Sequence, residues 1–96
     1  MKKHKKSLKK IIKTYGAGHQ LLICIEELSE LIKAITKAER YPEDTTRIVD
    51  ITEEIADVLI CIQQLKMIYN IDDKKIKEQI KNKVKRTKNL LTNVKK

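Results

Sequence analysis

Two of the most hydrophobic stretches of the chain each carry a run of three carboxylates in their middle. EELSEL occupies positions 26–31 inside LLICIEELSELIKAI, and EEIADV occupies 53–58 inside IVDITEEIADVLICIQQL. Both stretches have apolar residues at helical spacing, and no segment of the chain alternates as a strand would. A fold must therefore bury two amphipathic helices whose apolar sides are interrupted by acids.

The phase of those acids is the strongest constraint. At about 100° per residue with Glu27 at 0°, Ile23 and Ala34 fall at about 320° and 340°, and Leu31, Cys24, Ile35 and Leu28 between about 40° and 100°. Glu30 falls near about 300°, at the edge of this apolar arc, and Glu26 near about 260°, toward water with Lys33 and Lys37. With Glu54 at 0°, Ile68 and Cys61 fall at about 320° and 340°, Leu65, Val58, Ile51, Ile62 and Ile55 span about 20° to 100°, and Asp57 falls at about 300°. Each helix thus has one carboxylate inside its apolar arc and one at the edge, three residues on. Asp50 joins the second edge.

A bare carboxylate in apolar surroundings is unfavourable unless it is paired, protonated or bound to a cation. Arg47 and Lys66 are the candidate basic partners on the second of these helices. A divalent ion is the simpler answer, because hard cations such as Mg²⁺ or Mn²⁺ take oxygen ligands and carboxylates at i and i+3 share a helix face. Either pair alone is a common solvated arrangement. The matched phase of the two argues for a four-carboxylate metal site built from Glu27, Glu30, Glu54 and Asp57. His4 and His19 are too few and too scattered to argue for zinc. No glycine-rich phosphate loop or Ser/His/Asp arrangement is present.

The remaining chain reads as helices joined by short breaks. Residues 1–14 form a basic segment and candidate helix with Leu8, Ile11 and Ile12 on its apolar side; residues 15–96 form one helical domain. Tyr15 to Gly18 is a break, and the next helix runs from about His19 to Arg40. Pro42 lies in a loop, with Thr45 or Thr46 as cap of a helix from about Arg47 to Tyr69. The NIDD turn follows, with Asp72 as N-cap of a basic helix from about Asp73 to Leu91. The expected architecture is an all-α antiparallel bundle of about four helices. A chain of 96 residues buries a limited core, so association into a homodimer or homotetramer is expected, with sites near the interface.

Charge is unevenly spread along the chain. Residues 1–25 carry +7, residues 26–57 carry −6 and residues 58–96 carry +8, for a net +9. An acidic centre between basic flanks suits a metal in the middle and a polyanion around it. No apolar run is long enough for a membrane span, and the basic N-terminus is not followed by a cleavage pattern, so a cytoplasmic protein is expected. Cys24 and Cys61 lie in apolar helical contexts and read as buried reduced thiols.

Beyond these readings, the segments HQLLICIEELSELIKAITK and EEIADVLICIQQLKMIYNID resemble the MazG-like, all-α nucleoside triphosphate pyrophosphohydrolases. The matching pattern is Glu26-Glu27-Leu28-Ser29-Glu30 and Glu54-Ile55-Ala56-Asp57, and the likeness extends over roughly residues 15–91, most like short phage and low-GC bacterial members. The resemblance implies a metal-dependent hydrolase that cuts an NTP or dNTP to monophosphate and pyrophosphate. It implies that Glu27, Glu30, Glu54 and Asp57 bind Mg²⁺, with Glu26 a weaker site residue, and that the last helix brings basic residues, here Lys83 and Arg86, near the phosphates. Glu27 or Glu30 would act catalytically by orienting the attacking water. His19 and Gln20 are candidates for the base or ribose, or for packing and capping. The chain has no Trp or Phe, so any aromatic platform falls to Tyr15, Tyr41 or Tyr69. Two other readings compete: a basic helical module that binds nucleic acid, and a catalytically degenerate helical interaction protein.

Overall fold

Why the chain divides where it does is set by a few residues. The computed structural model describes residues 2–94, with a short 3₁₀ turn at Lys2–His4 followed by four α-helices. They are α1 (Lys5–Tyr15), α2 (Ala17–Arg40), α3 (Arg47–Ile68) and α4 (Asp73–Val94). The break between α1 and α2 is a single residue, shorter than the sequence suggests. Gly16 sits at φ +91°, a conformation that side chains resist, and Gly18 lies inside α2.

The other junctions are capped by side chains and backbone. Neither Thr45 nor Thr46 supplies a side-chain cap to α3. Asp44 does the local work instead: its Oδ1 accepts the Thr46 N–H at 3.1 Å, and its other oxygen lies 3.1 Å from Arg47 Nε. At the end of α3, Asn70 takes φ +54° and the Ile71 N–H donates to the Lys66 carbonyl at 2.9 Å, a Schellman closure. Asp72 then caps α4 as its sequence position suggests, accepting the Lys74 N–H at 3.0 Å.

Helices α2 and α3 form the main antiparallel pair, and α1 lies against both. Gln20 meets Gln64, Cys24 meets Cys61 and Glu27 meets Asp57, so each step up α2 is a matching step down α3. Buried hydrophobic residues among those described are Leu8, Cys24, Ala34, Val58 and Cys61. The buried polar pair fixes the register: Gln20 Nε2 donates to Gln64 Oε1 at 3.2 Å. Gln64→Ala strands that donor in the core. It is expected to cost about 1–3 kcal/mol of stability, read from the urea midpoint.

The fourth helix stands apart. It meets the body at its first turn, where Lys66 Nζ pairs with Asp73, and among the described residues packs along no other helix. Several of its apolar residues are open, with Ile80 at 55 %, Val84 at 61 % and Leu91 at 58 % exposure. The radius of gyration is accordingly 17.0 Å, against about 12.5 Å for a compact chain of this length. Large aliphatic residues on α2 and α3, among them Ile25, Ile32, Ile48 and Leu59, are exposed as well.

Candidate metal centre

Each carboxylate of the two acidic motifs is carried on a rigid helix, two to three turns from the Gln20–Gln64 pair. The antiparallel register brings α2 and α3 together at this level. Ligand oxygens of Glu27, Glu54 and Asp57 lie within 4.8 Å of one another, two from α3 and one from α2. Glu27 and Glu54 are half-buried and Asp57 is exposed.

The electrostatics are those of crowded acids. Glu27 is held above its ordinary value of 4.5, first by burial, then by a hydrogen bond with Asp57, and then by the charges of Asp57, Glu54 and Glu30. Two carboxyl groups can share such a bond only with a proton between them. Glu54 is also raised, first by burial and then by Asp57, Glu30, Glu53 and Asp50. Its Oε2 is buried with no hydrogen-bond partner. Neither basic candidate on α3 relieves this strain. Arg47 reaches Asp44 at 3.1 Å and Asp50 at 3.9 Å, and Lys66 is taken by Asp73. Among the described residues, no lysine or arginine forms an ion pair with Glu27, Glu54 or Asp57.

This arrangement fits a divalent cation. The donors are all hard oxygens, they come from two helices, they repel one another without a positive charge, and one oxygen is orphaned in a buried position.

The other predicted residues are distributed more widely. Glu30 lies outside the three-carboxylate set. It pairs with Lys33 at 3.4 Å, yet its charge still acts on Glu27 and Glu54. Glu26 is exposed, and its carbonyl accepts the Ser29 hydroxyl at 2.7 Å. Gln20 is turned into the α2–α3 core, where it donates to Gln64. His19 is exposed, with Nδ1 2.9 Å from Gln20 Oε1 and its ring stacked on Tyr15 at 5.5 Å. Tyr41 lies under the Arg47 guanidinium at 5.3 Å, and Tyr69 is open to solvent. Lys83 and Arg86 are exposed on α4, which does not lie along the α2–α3 pair of its own chain. A cleft of about 480 Å³ at the α3–α4 turn is lined by Lys5, Lys9 and Lys66, away from the carboxylates; its Lys66 is already paired with Asp73.

Sequence reasoning missed Gln64 and the closeness of the thiols to the site. Gln64 falls at about 280° on the α3 wheel, just beside Asp57, so continuing the same helical stripe would have found it. Both cysteines are free and buried, as expected for reduced thiols. Burial pushes the Cys61 thiol up to about 12, with contributions from Cys24, Glu27 and Asp57, which leaves it unreactive.

An all-helical protein with carboxylates converging from two antiparallel helices belongs to a narrow class of acidic-site helical proteins. The family is shown directly: the model of the MazG nucleotide pyrophosphohydrolase domain matches residues 18–91, and the chain belongs to that family. No curated protein and no solved structure matches the chain closely enough to refine this. The matched region contains both acidic motifs and most of α4.

Proposed function

We infer that the protein is a metal-dependent nucleotide pyrophosphohydrolase that converts an NTP or dNTP to the monophosphate and pyrophosphate, acting as a homodimer or homotetramer in the cytoplasm. One observation carries the reading. Three uncompensated carboxylates from two helices of a nucleotide pyrophosphohydrolase domain converge within 4.8 Å, one of them with a buried, partnerless oxygen.

Glu27, Glu54 and Asp57 would hold Mg²⁺, or Mn²⁺, with Glu30 at the rim. The bound ion would offset phosphate charge and lower the pKa of a water. The chain's own groups do the rest. Glu30, exposed beside the cluster, orients the attacking water and accepts its proton. Lys83 and Arg86 hold the phosphates of the leaving pyrophosphate through charged hydrogen bonds. The stacked Tyr15–His19 pair offers a flat surface to a base. His19 precedes Glu27 by eight residues, a rise of about 12 Å along α2, which suits a base at one end of a nucleotide and phosphates at the other.

The test is a panel of NTPs and dNTPs, modified bases included, assayed for pyrophosphate release with Mg²⁺, with Mn²⁺ and with chelator. Ion-dependent release of pyrophosphate and monophosphate is expected. Failure across the panel, together with salt-sensitive binding of DNA or RNA that survives Glu54→Gln, would replace this reading with the basic nucleic-acid module that α4 also suits.

A further inference from the structure

Lysines from two helices converge on the cleft at the α3–α4 turn. It measures about 480 Å³, within the size range of small-molecule pockets. Helix α1 contributes Lys5 and Lys9, one turn apart on the same face. Helix α3 contributes Gln63 and Lys66, the turn beyond it Asn70, and the start of α4 Asp73. This lining lies apart from the carboxylate centre. With Glu54 at 0° on α3, Lys66 falls at about 120° and Gln63 at about 180°, so both point away from it. Lys66 also stands twelve residues beyond Glu54, a rise of about 18 Å along the helix.

The charge of the cleft is one-sided. Lys5, Lys9 and Lys66 face a single acid, Asp73, for a formal +2. Lys66 pairs with that acid, and among the described residues no ion pair engages Lys5 or Lys9. The Asp73 carboxyl is held below its ordinary 3.8, first by the hydrogen bond from Lys66 and then by the charges of Lys66, Lys77 and Lys5. One carboxylate thus serves three ammonium groups, and a fourth, Lys9, lines the same cleft. Ammonium groups only donate, and the amides of Gln63 and Asn70 add further N–H donors, so the lining suits an anion rich in acceptor oxygens. A phosphoryl group offers several such oxygens and more than one charge, and lysine binds it as a point charge. No aromatic residue lines the cleft, which therefore lacks the stacking platform that single-stranded nucleic acid uses.

We propose that this cleft is a second anion site, separate from the metal centre, that takes a phosphoryl group on Lys5, Lys9 and Lys66. The group comes either from free orthophosphate or pyrophosphate or from the phosphates of a nucleotide. Its oxygens compete with Asp73 for the Lys66 ammonium. That pair is where α4 meets the body, so an occupied cleft loosens the base of α4. The site does not rest on the hydrolase reading, because it holds its anion without a metal ion and without turnover.

The protein, kept in chelator, is titrated with orthophosphate, with pyrophosphate, with an α,β-imido nucleoside triphosphate and with a single-stranded oligonucleotide. Calorimetry gives the affinity, and NMR of the Gln63 and Asn70 side-chain amides gives the place. A small anion is expected to shift both amides. The double variant Lys5→Ala/Lys9→Ala should weaken that binding at least about 10-fold. Lys83→Ala/Arg86→Ala should leave the two amide shifts as they are. Asp73→Asn removes the competing carboxylate and should tighten binding by about 2- to 5-fold, a gain that a merely structural role would not produce. Pyrophosphate binding as tightly as the analogue identifies a free anion as the source, and a tighter analogue identifies a nucleotide. Unmoved amides with every small anion, full affinity in Lys5→Ala/Lys9→Ala, weaker binding in Asp73→Asn, or shifts with the oligonucleotide alone would each overturn the proposal. If the protein hydrolyses no nucleotide but these shifts appear, the hydrolase reading falls and the anion site stands.

Discussion

Glu54→Gln is expected to lower turnover at least about 100-fold while raising the melting temperature of the ion-free protein. The two effects have one cause. Glu54 is pressed by the charges of Asp57, Glu30, Glu53 and Asp50, and its Oε2 is buried without a partner. In the ion-free protein this charge is a liability. Glutamine keeps the shape, removes the repulsion and offers an amide N–H to a neighbouring carboxylate. On the proposed reading it also takes away a hard, charged ligand, so the variant should gain little from added Mg²⁺. Steady-state kinetics with nucleotide and a pair of melting curves, with chelator and with ion, read both effects. A variant that turns over within a few-fold of wild type, or that melts lower than wild type in chelator, contradicts the role given to this residue.

The second large effect joins pH to the ion. In the folded protein Glu27 and Glu54 are both raised above 4.5, so the fold binds protons there more tightly than the unfolded chain does. Their stabilising contribution is fully present below 4.5 and is lost as pH rises through the higher folded values. Asp44 and Asp73 run the other way. Thr46 hydrogen bonds hold Asp44 low and Lys66 holds Asp73 low, and their contribution is lost as pH falls below 3.8. In chelator the melting temperature should therefore pass through a maximum in mild acid and decline toward neutrality. A saturating divalent ion at neutral pH should reverse the decline. At one hundred times its dissociation constant an ion adds about 2.7 kcal/mol, a rise of roughly 10–20 °C for a domain of this size. An ion-free melting temperature that climbs steadily to neutral pH, or one that Mg²⁺ and Mn²⁺ leave unmoved, would show that the carboxylates are not the strained ion site described.

Much of this arrangement can be read from residue order because it is local. The alternation of apolar and polar side chains every three to four residues marks α2 and α3, and the same periodicity puts Glu27 and Glu54 toward the core. Asp72 announces the start of α4 because a cap acts on the N–H groups two or three residues ahead. Local reading failed where two signals competed. Thr45 and Thr46 are good caps by type, but Asp44 reached the free N–H first and was secured by Arg47. Gln20 shares the face of Glu27 and reads equally well as a ligand contact or as packing. In the structure its amide donates to Gln64 across the α2–α3 pair.

Sequence alone therefore determined which side chains share a helix face, since that depends only on the 3.6-residue repeat. It determined that two acids would point inward and that α4 would be basic with an apolar stripe. Tertiary structure decided which acids meet. Glu27, Glu54 and Asp57 converge while Glu30 stays at the rim with Lys33. Convergence depends on how far α2 has slid along α3, and that offset is set by the Gln20–Gln64 bond and the Cys24–Cys61 contact. It also decided that α4 leaves the body at Asp73, because among the described residues no helix lies along its apolar stripe.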